Sequence, residues 1–259
     1  MKTRGKMNST RKIALATGVL FVITYITSIP AQLIFYAPVL HNPDFILGGG
    51  GPDNGVFLGA SLELLLIIAN IGTAIALFPI LKRQNEILAL GYVTARVVES
   101  AFIAVGLLSL LTLVTLRQDL SGAAGADATS LLTAGASLVA LHDWTFLLGP
   151  GFVVGVGNGL VLGYLMYTSR LVPRGMAMLG LVGGALIVAS GIAVVFGVFE
   201  AGSVWQIIAT IPEFFWELSL GIWLIVKGFN PTAAILSEPD KTDLNGRGKA
   251  RDEISLSRA

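Results

Sequence analysis

The chain has no cysteine. Disulfides, thiolate metal sites and cysteine nucleophiles are therefore excluded. Charge is scarce as well: 13% of the 259 residues are Asp, Glu, Lys or Arg, against about 25% in an ordinary soluble domain. The formal net charge is only +1, which offers no basic surface to nucleic acid. The two histidines are His41 and His142. No H-E-x-x-H, G-x-S-x-G or phosphate-loop pattern occurs. What is abundant is apolar: 54% of residues are hydrophobic and the mean hydropathy is +0.78. A soluble protein so composed would have too little polar surface to cover itself, so the composition points to a membrane protein.

Six apolar stretches exceed the about 20 residues needed to span a bilayer. They run over residues 13–40, 57–81, 87–116, 137–167, 176–199 and 205–226. The first follows basic residues, as a signal peptide would. It is too long for an h-region and lacks a clear A-x-A site, so it reads as a retained span. The predicted fold is all-α, a polytopic membrane helix bundle. Residues 1–12 form a basic N-terminal segment, 13–229 the transmembrane domain and 230–259 a polar, disordered tail. No soluble domain large enough for its own active site is evident.

Lys and Arg mark the orientation. Lys2, Arg4, Lys6, Arg11 and Lys12 precede the first span. Lys82 and Arg83, then Arg170 and Arg174, lie in the second and fourth connections, and more follow the sixth span. The opposite side has only Arg117. Both termini are thus expected in the cytoplasm. The outer segment "HNPDFILGGGGPDNG" favours turns over helix. The segment "DLSGAAGADATS" reads as an outer loop or a helix-end extension.

The fourth span carries Gly151, Gly155, Gly159 and Gly163 at four-residue spacing. They share one helix face that a neighbouring backbone can approach closely. Gly180 and Gly184 of the fifth span are the expected partner surface, and the same face is a candidate for homodimerisation. Pro150, between Gly149 and Gly151, predicts a kink. The close packing is expected to bury His142 and Asp143 away from lipid.

Seven titratable residues fall within the spans: Glu63, Arg96, Glu99, His142, Asp143, Glu213 and Glu217. Buried in a membrane, such groups face protein or trapped water and are candidates for function. Counting about 1.5 Å per residue places all of them in the middle or outer half of the bundle. Arg96 and Glu99 are i,i+3, Glu213 and Glu217 are i,i+4, and Glu63 shares a face with Asn70. Gln32 and Asn158 can add polar contacts. Together they predict an outward-opening polar pocket, with Arg96 anchoring an anionic group or holding the carboxylates and His142 and Asp143 at its mouth.

A structural ion-pair network and a site for a small solute, lipid headgroup or cation, proton-coupled or not, both fit this set. A metal site built on His142, Asp143 and a glutamate is a third reading. It is handicapped because adjacent residues point about 100° apart on a helix. No cofactor is indicated. An intramembrane acid–base enzyme acting on lipid and a non-catalytic sensor or scaffold are the alternatives to binding or transport. Trp144, Trp205 and Tyr167 lie near span ends, where amphipathic rings favour the interface. Trp216 is deeper and reads as packing.

The segments "LKRQNEILALGYVTARVVES", "LHDWTFLLGPGFVVGVGNGLVLGYLMY", "LVPRGMAMLGLVGG", "ASGIAVVFGVF" and "IPEFFWELSLGIWLIVKGF" follow in order along the chain. Together they resemble the domain-of-unknown-function family numbered 4386, over nearly everything from Asn8 to Phe229. The resemblance implies a six-span inner-membrane protein of bacteria, with membrane lipids as its surroundings. It implies no activity. It encompasses Arg96, Glu99, His142, Asp143, Glu213 and Glu217 without giving them roles.

Overall fold

The computed structural model describes residues 8–120 and 126–236. Six apolar helices in it are long enough to cross a membrane: α1 (Ser9–Phe35), α2 (Asn54–Leu81), α3 (Glu86–Asp119), α4 (Asp127–Ser169), α5 (Arg174–Val195) and α6 (Val204–Val226). Each packs on its neighbour in sequence, and α6 returns to α1, closing an up-and-down ring. Arg11 of α1 reaches the end of α6. Its Nη1 donates to the Leu224 carbonyl at 2.6 Å and its Nη2 to the Ile225 carbonyl. A cation and two donors thus meet the unpaired carbonyls at the negative end of the α6 dipole. Residues near both ends of the chain therefore share one side. The half of the bundle on that side is proximal, and the other half distal.

Prolines interrupt two helices. Pro30 lacks an N–H, and the ladder after it widens to a π-helix over Ala31–Phe35. Pro150 sits in the π stretch Leu147–Val153, followed by a second over Gly155–Leu162. The kink predicted at Pro150 takes the form of these widened turns. The predicted glycine face meets α5. A Cβ on Gly155 would lie 3.0 Å from the Gly184 carbonyl oxygen, one on Gly159 2.3 Å from the Gly184 Cα, and one on Gly163 3.1 Å from the Leu181 nitrogen. Gly155, Gly159 and Gly163 are thus in contact with α5 of the same chain.

Several boundaries differ from expectation. The first span ends at Phe35 rather than Leu40, because Pro38 starts a new helical turn over Ala37–Leu40. The fourth begins at Asp127, ten residues before Ser137, because an Ala- and Leu-containing run continues the helix on the distal side. The fifth stops at Val195, before Gly197 at φ +69°. The expected tail is in part packed: the Asn230 N–H donates to the Leu171 carbonyl at 2.8 Å, and Ala233 is buried. The basic residues 1–7 and the tail residues 237–259 lie outside the described residues, as does 121–125 of the expected outer loop.

Two apolar cores result. The proximal one joins all six helices and includes Phe21, Leu77, Tyr92, Leu165 and Trp216. The distal one is built from the end of α1, the connection after it, and α2, α3 and α4. That connection contributes Phe45 and Ile46, both buried, from a 3₁₀ turn over Pro43–Leu47. Gly48 and Gly51 then take φ of +103° and +97° with open space around them. Backbone conformation, not crowding, requires glycine at both. Arg117 holds this segment, donating to the Gly51 carbonyl at 2.8 Å, pairing with Asp53 at 3.1 Å and covering the Phe45 ring. The one cation expected on the outer side thus has a structural task. No residue of α5 or α6 joins the distal core.

Candidate functional site

The distal half encloses a cavity of about 320 Å³ between α1, α2, α3, α4 and α6 with one residue of α5. Two polar hubs form its floor and wall. Arg96 on α3 organises the first. Its Nη1 donates to Glu99 Oε2 at 2.8 Å and its Nη2 to Asn70 Oδ1 on α2 at 2.6 Å. Asn70 Nδ2 donates in turn to Glu99 Oε1 at 2.9 Å. Glu217 Oε1 on α6 stands 4.0 Å from Arg96 and accepts from Asn158 Nδ2 on α4. The i,i+3 spacing of Arg96 and Glu99 and the helical register of α2 bring these groups together. Such a pair is tolerated in a low-dielectric interior only when both partners are further hydrogen-bonded, as here.

Glu63 on α2 organises the second hub. It accepts from Gln32 Nε2 at 3.1 Å and from the Tyr36 hydroxyl at 3.0 Å. His142 on α4 lies beside them, with its Nε2 3.4 Å from Gln32 Nε2 and its ring edge-on to Tyr36. The glycine that admits His142 is on α3. A Cβ on Gly106 would lie 3.4 Å from His142 Cδ2 and 2.6 Å from Thr145 Oγ1.

Glu213 on α6 differs from the other carboxylates. It is 2% exposed, and neither of its oxygens has a hydrogen-bond partner among the described residues. Its Oε2 sits where Cβ atoms on Gly159 or Gly183 would come within 2.8 Å. The glycines of α4 and α5 thus make room for a carboxylate as well as for each other.

Five of the seven residues singled out in the sequence line this one cavity: Glu63, Arg96, Glu99, Glu213 and Glu217. His142 stands behind Gln32, in its second rank. Asp143 touches only His142 of this set, whose Nδ1 lies 3.4 Å from its Oδ1. Its side chain is 59% exposed and borders two other recesses, beside Trp144 and Glu200 and beside Asn42 and Gly135. The turn of the helix between neighbouring residues buries His142 and leaves Asp143 outside, so Asp143 is neither buried nor at the mouth of the cavity. Among the described residues no three His, Asp or Glu side chains converge to hold a metal ion. Tyr25 and Tyr36 belong to the site and did not stand out in the sequence. Their signal was there: Tyr25 and Gln32 are seven apart, and Tyr36 follows Gln32 by four, so all three share a helix face. Trp216 is packing, fully buried against Gly180 with its indole N–H on the Asn158 carbonyl at 3.0 Å.

The mouth is apolar. Ile29 and Leu33 of α1, Phe146 of α4 and Phe214 of α6 line the cavity and are all exposed. Below them the Tyr25 hydroxyl donates to the Phe214 carbonyl at 2.6 Å, tying α1 to α6. Charged floor, apolar rim and six apolar helices define a multipass membrane protein with a polar interior. The model of a protein family described as Domain of unknown function (DUF4386) matches residues 16–228, and the chain belongs to that family. No curated protein and no solved structure matches it.

Proposed function

We propose that this protein binds a small molecule with a polar head and an apolar body in the distal cavity, and presents it at the outer face of the inner membrane of a bacterium. The single observation that carries this reading is the convergence of Arg96 and four glutamates on one cavity whose rim is apolar. Ion pairs that serve stability alone need no cavity beside them. Buried ionisable groups that border one in a membrane protein belong to a binding or conduction site by default. The placement of the termini in the cytoplasm is supported by Arg11, Lys12, Lys82, Arg83, Arg170, Arg174 and Lys227 on the proximal side, against Arg117 on the distal one.

Native mass spectrometry of gently purified wild type, Glu217→Gln and Asp143→Asn tests the reading. The expected result is a retained small molecule in wild type and Asp143→Asn that is lost from folded Glu217→Gln. Retention by all three alike contradicts it.

A further inference from the structure

The ligand class can be narrowed by asking which charges in the cavity are already engaged. Arg96 is the cation of the floor. Both of its Nη atoms are bonded, to Glu99 and Asn70, and the Phe21 ring lies 5.9 Å from its guanidinium carbon. Its buried Nε–H has no partner among the described residues, but an anionic ligand that met it would have to enter beside four carboxylates. Glu63 and Glu99 are each held through both oxygens, and Glu217 is held by Asn158. Of the four glutamates that line the cavity, Glu213 alone has neither oxygen engaged among the described residues. A carboxylate so placed costs several kcal/mol unless something meets it. Only a donor, above all a cationic one, matches two free carboxylate oxygens.

The surroundings choose between a metal ion and an organic cation. A bare divalent ion needs several oxygen ligands, and among the described residues no three acidic or imidazole groups come close enough to share one. An ammonium group needs fewer. One or two carboxylates suffice, with aromatic faces and hydrocarbon for its body. Glu213 and Glu217 share one helix face, and Tyr25, Phe146 and Phe214 line the same space with Ile187.

We propose that the cavity takes an organic cation, a protonated or quaternary amine on an apolar body, with Glu213 as the group that receives its charge. This rests on the cavity being a binding site and adds the class of its ligand. An amine-headed membrane lipid and a free amphiphilic amine share that chemistry.

The test uses the full chain in nanodiscs of phosphatidylglycerol, which has no amine. Radiolabelled phenethylammonium is the probe, and phenylacetate is its anionic counterpart of similar size. Wild type should bind phenethylammonium saturably and phenylacetate not at all. Glu213→Gln, with unchanged thermal unfolding, should lose at least ten-fold in affinity. Thr210→Phe, which fills the cavity one turn away without touching its charges, should lose binding as well. Phosphatidylethanolamine that displaces the probe identifies a lipid ligand, and a failure to displace identifies a free amine. Unchanged binding in folded Glu213→Gln, preference for phenylacetate, or binding of neither ion overturns the assignment. A preference for phenylacetate would leave the cavity standing as a binding site. Failure of the cavity itself shows separately, as a retained molecule indifferent to Glu217→Gln.

Discussion

The two halves of the bundle solve the same problem in opposite ways. In the proximal half, α1 and α6 touch backbone to backbone. A Cβ on Gly18 would lie 2.6 Å from the Gly221 carbonyl oxygen, and Arg11 fastens the ends. Large side chains from all six helices fill the middle. In the distal half the same two helices are joined by the Tyr25 hydroxyl, and beyond it the wall gives way to a cavity floored by charge. One half is sealed by packing, the other held open by a hydrogen-bonded ion-pair network. An apolar contact between helices gains little where the alternative neighbour is lipid. Close glycine contacts and polar bridges are therefore the means that remain, and the protein uses one in each half.

The largest expected effect breaks the open half. Arg96→Ala leaves Glu99 and Glu217 buried without their cation and should cost about 3–5 kcal/mol, read as a fall in thermal unfolding temperature in detergent. Replacing Arg96 and Glu99 together by Ala should cost less than Arg96→Ala alone, because the stranded charge goes with its partner. An unfolding temperature of Arg96→Ala equal to wild type would remove the clamp from the account.

The next effect breaks the sealed half. Gly18→Ala drives a methyl group into the Gly221 backbone, which cannot turn aside as a side chain can. A loss of about 1–3 kcal/mol is expected from such overpacking. Gly91→Ala serves as the control, since nothing lies within 4 Å of a Cβ there. Equal unfolding temperatures for the two variants would show that α1 and α6 are not in close contact.

Smaller effects sharpen the distal half. Arg117→Ala frees the glycine-bearing connection and should cost no more than about 1 kcal/mol, because the pair with Asp53 is partly exposed. Hydrogen exchange at residues 48–51 should nonetheless rise. Slow exchange there in the variant would mean that Phe45 and Ile46 suffice to hold the segment. Asp143→Asn should change stability by less than about 0.5 kcal/mol, as exposed substitutions do. A larger loss would place Asp143 in the interior.

Much of this was legible in the residues. Apolar length set six helices, and the spacing of Arg96 with Glu99 and of Glu213 with Glu217 put each pair on one face, where the structure has them lining one cavity. Span ends were less legible. Hydropathy does not register that Pro38 restarts the chain, or that weakly polar residues after Asp127 stay helical. The burial of His142 beside an exposed Asp143 depends on which way α4 is turned, and two π stretches in α4 shift that register. Gly106, across from His142, could not be matched to it from spacing within either helix. The freedom of the Glu213 oxygens is likewise a property of three helices meeting.

The contrast between an open distal half and a sealed proximal half is tested most directly by thiol labelling, for which a cysteine-free chain is the right background. Ser28→Cys places a thiol in the cavity, and Ala74→Cys places one in the proximal core. Each is treated with a membrane-impermeant reagent from one side and then from the other. The account predicts reaction of Ser28→Cys from the outer side alone and of Ala74→Cys from neither. An unreactive Ser28→Cys, or one that reacts only from the side of the termini, would contradict it.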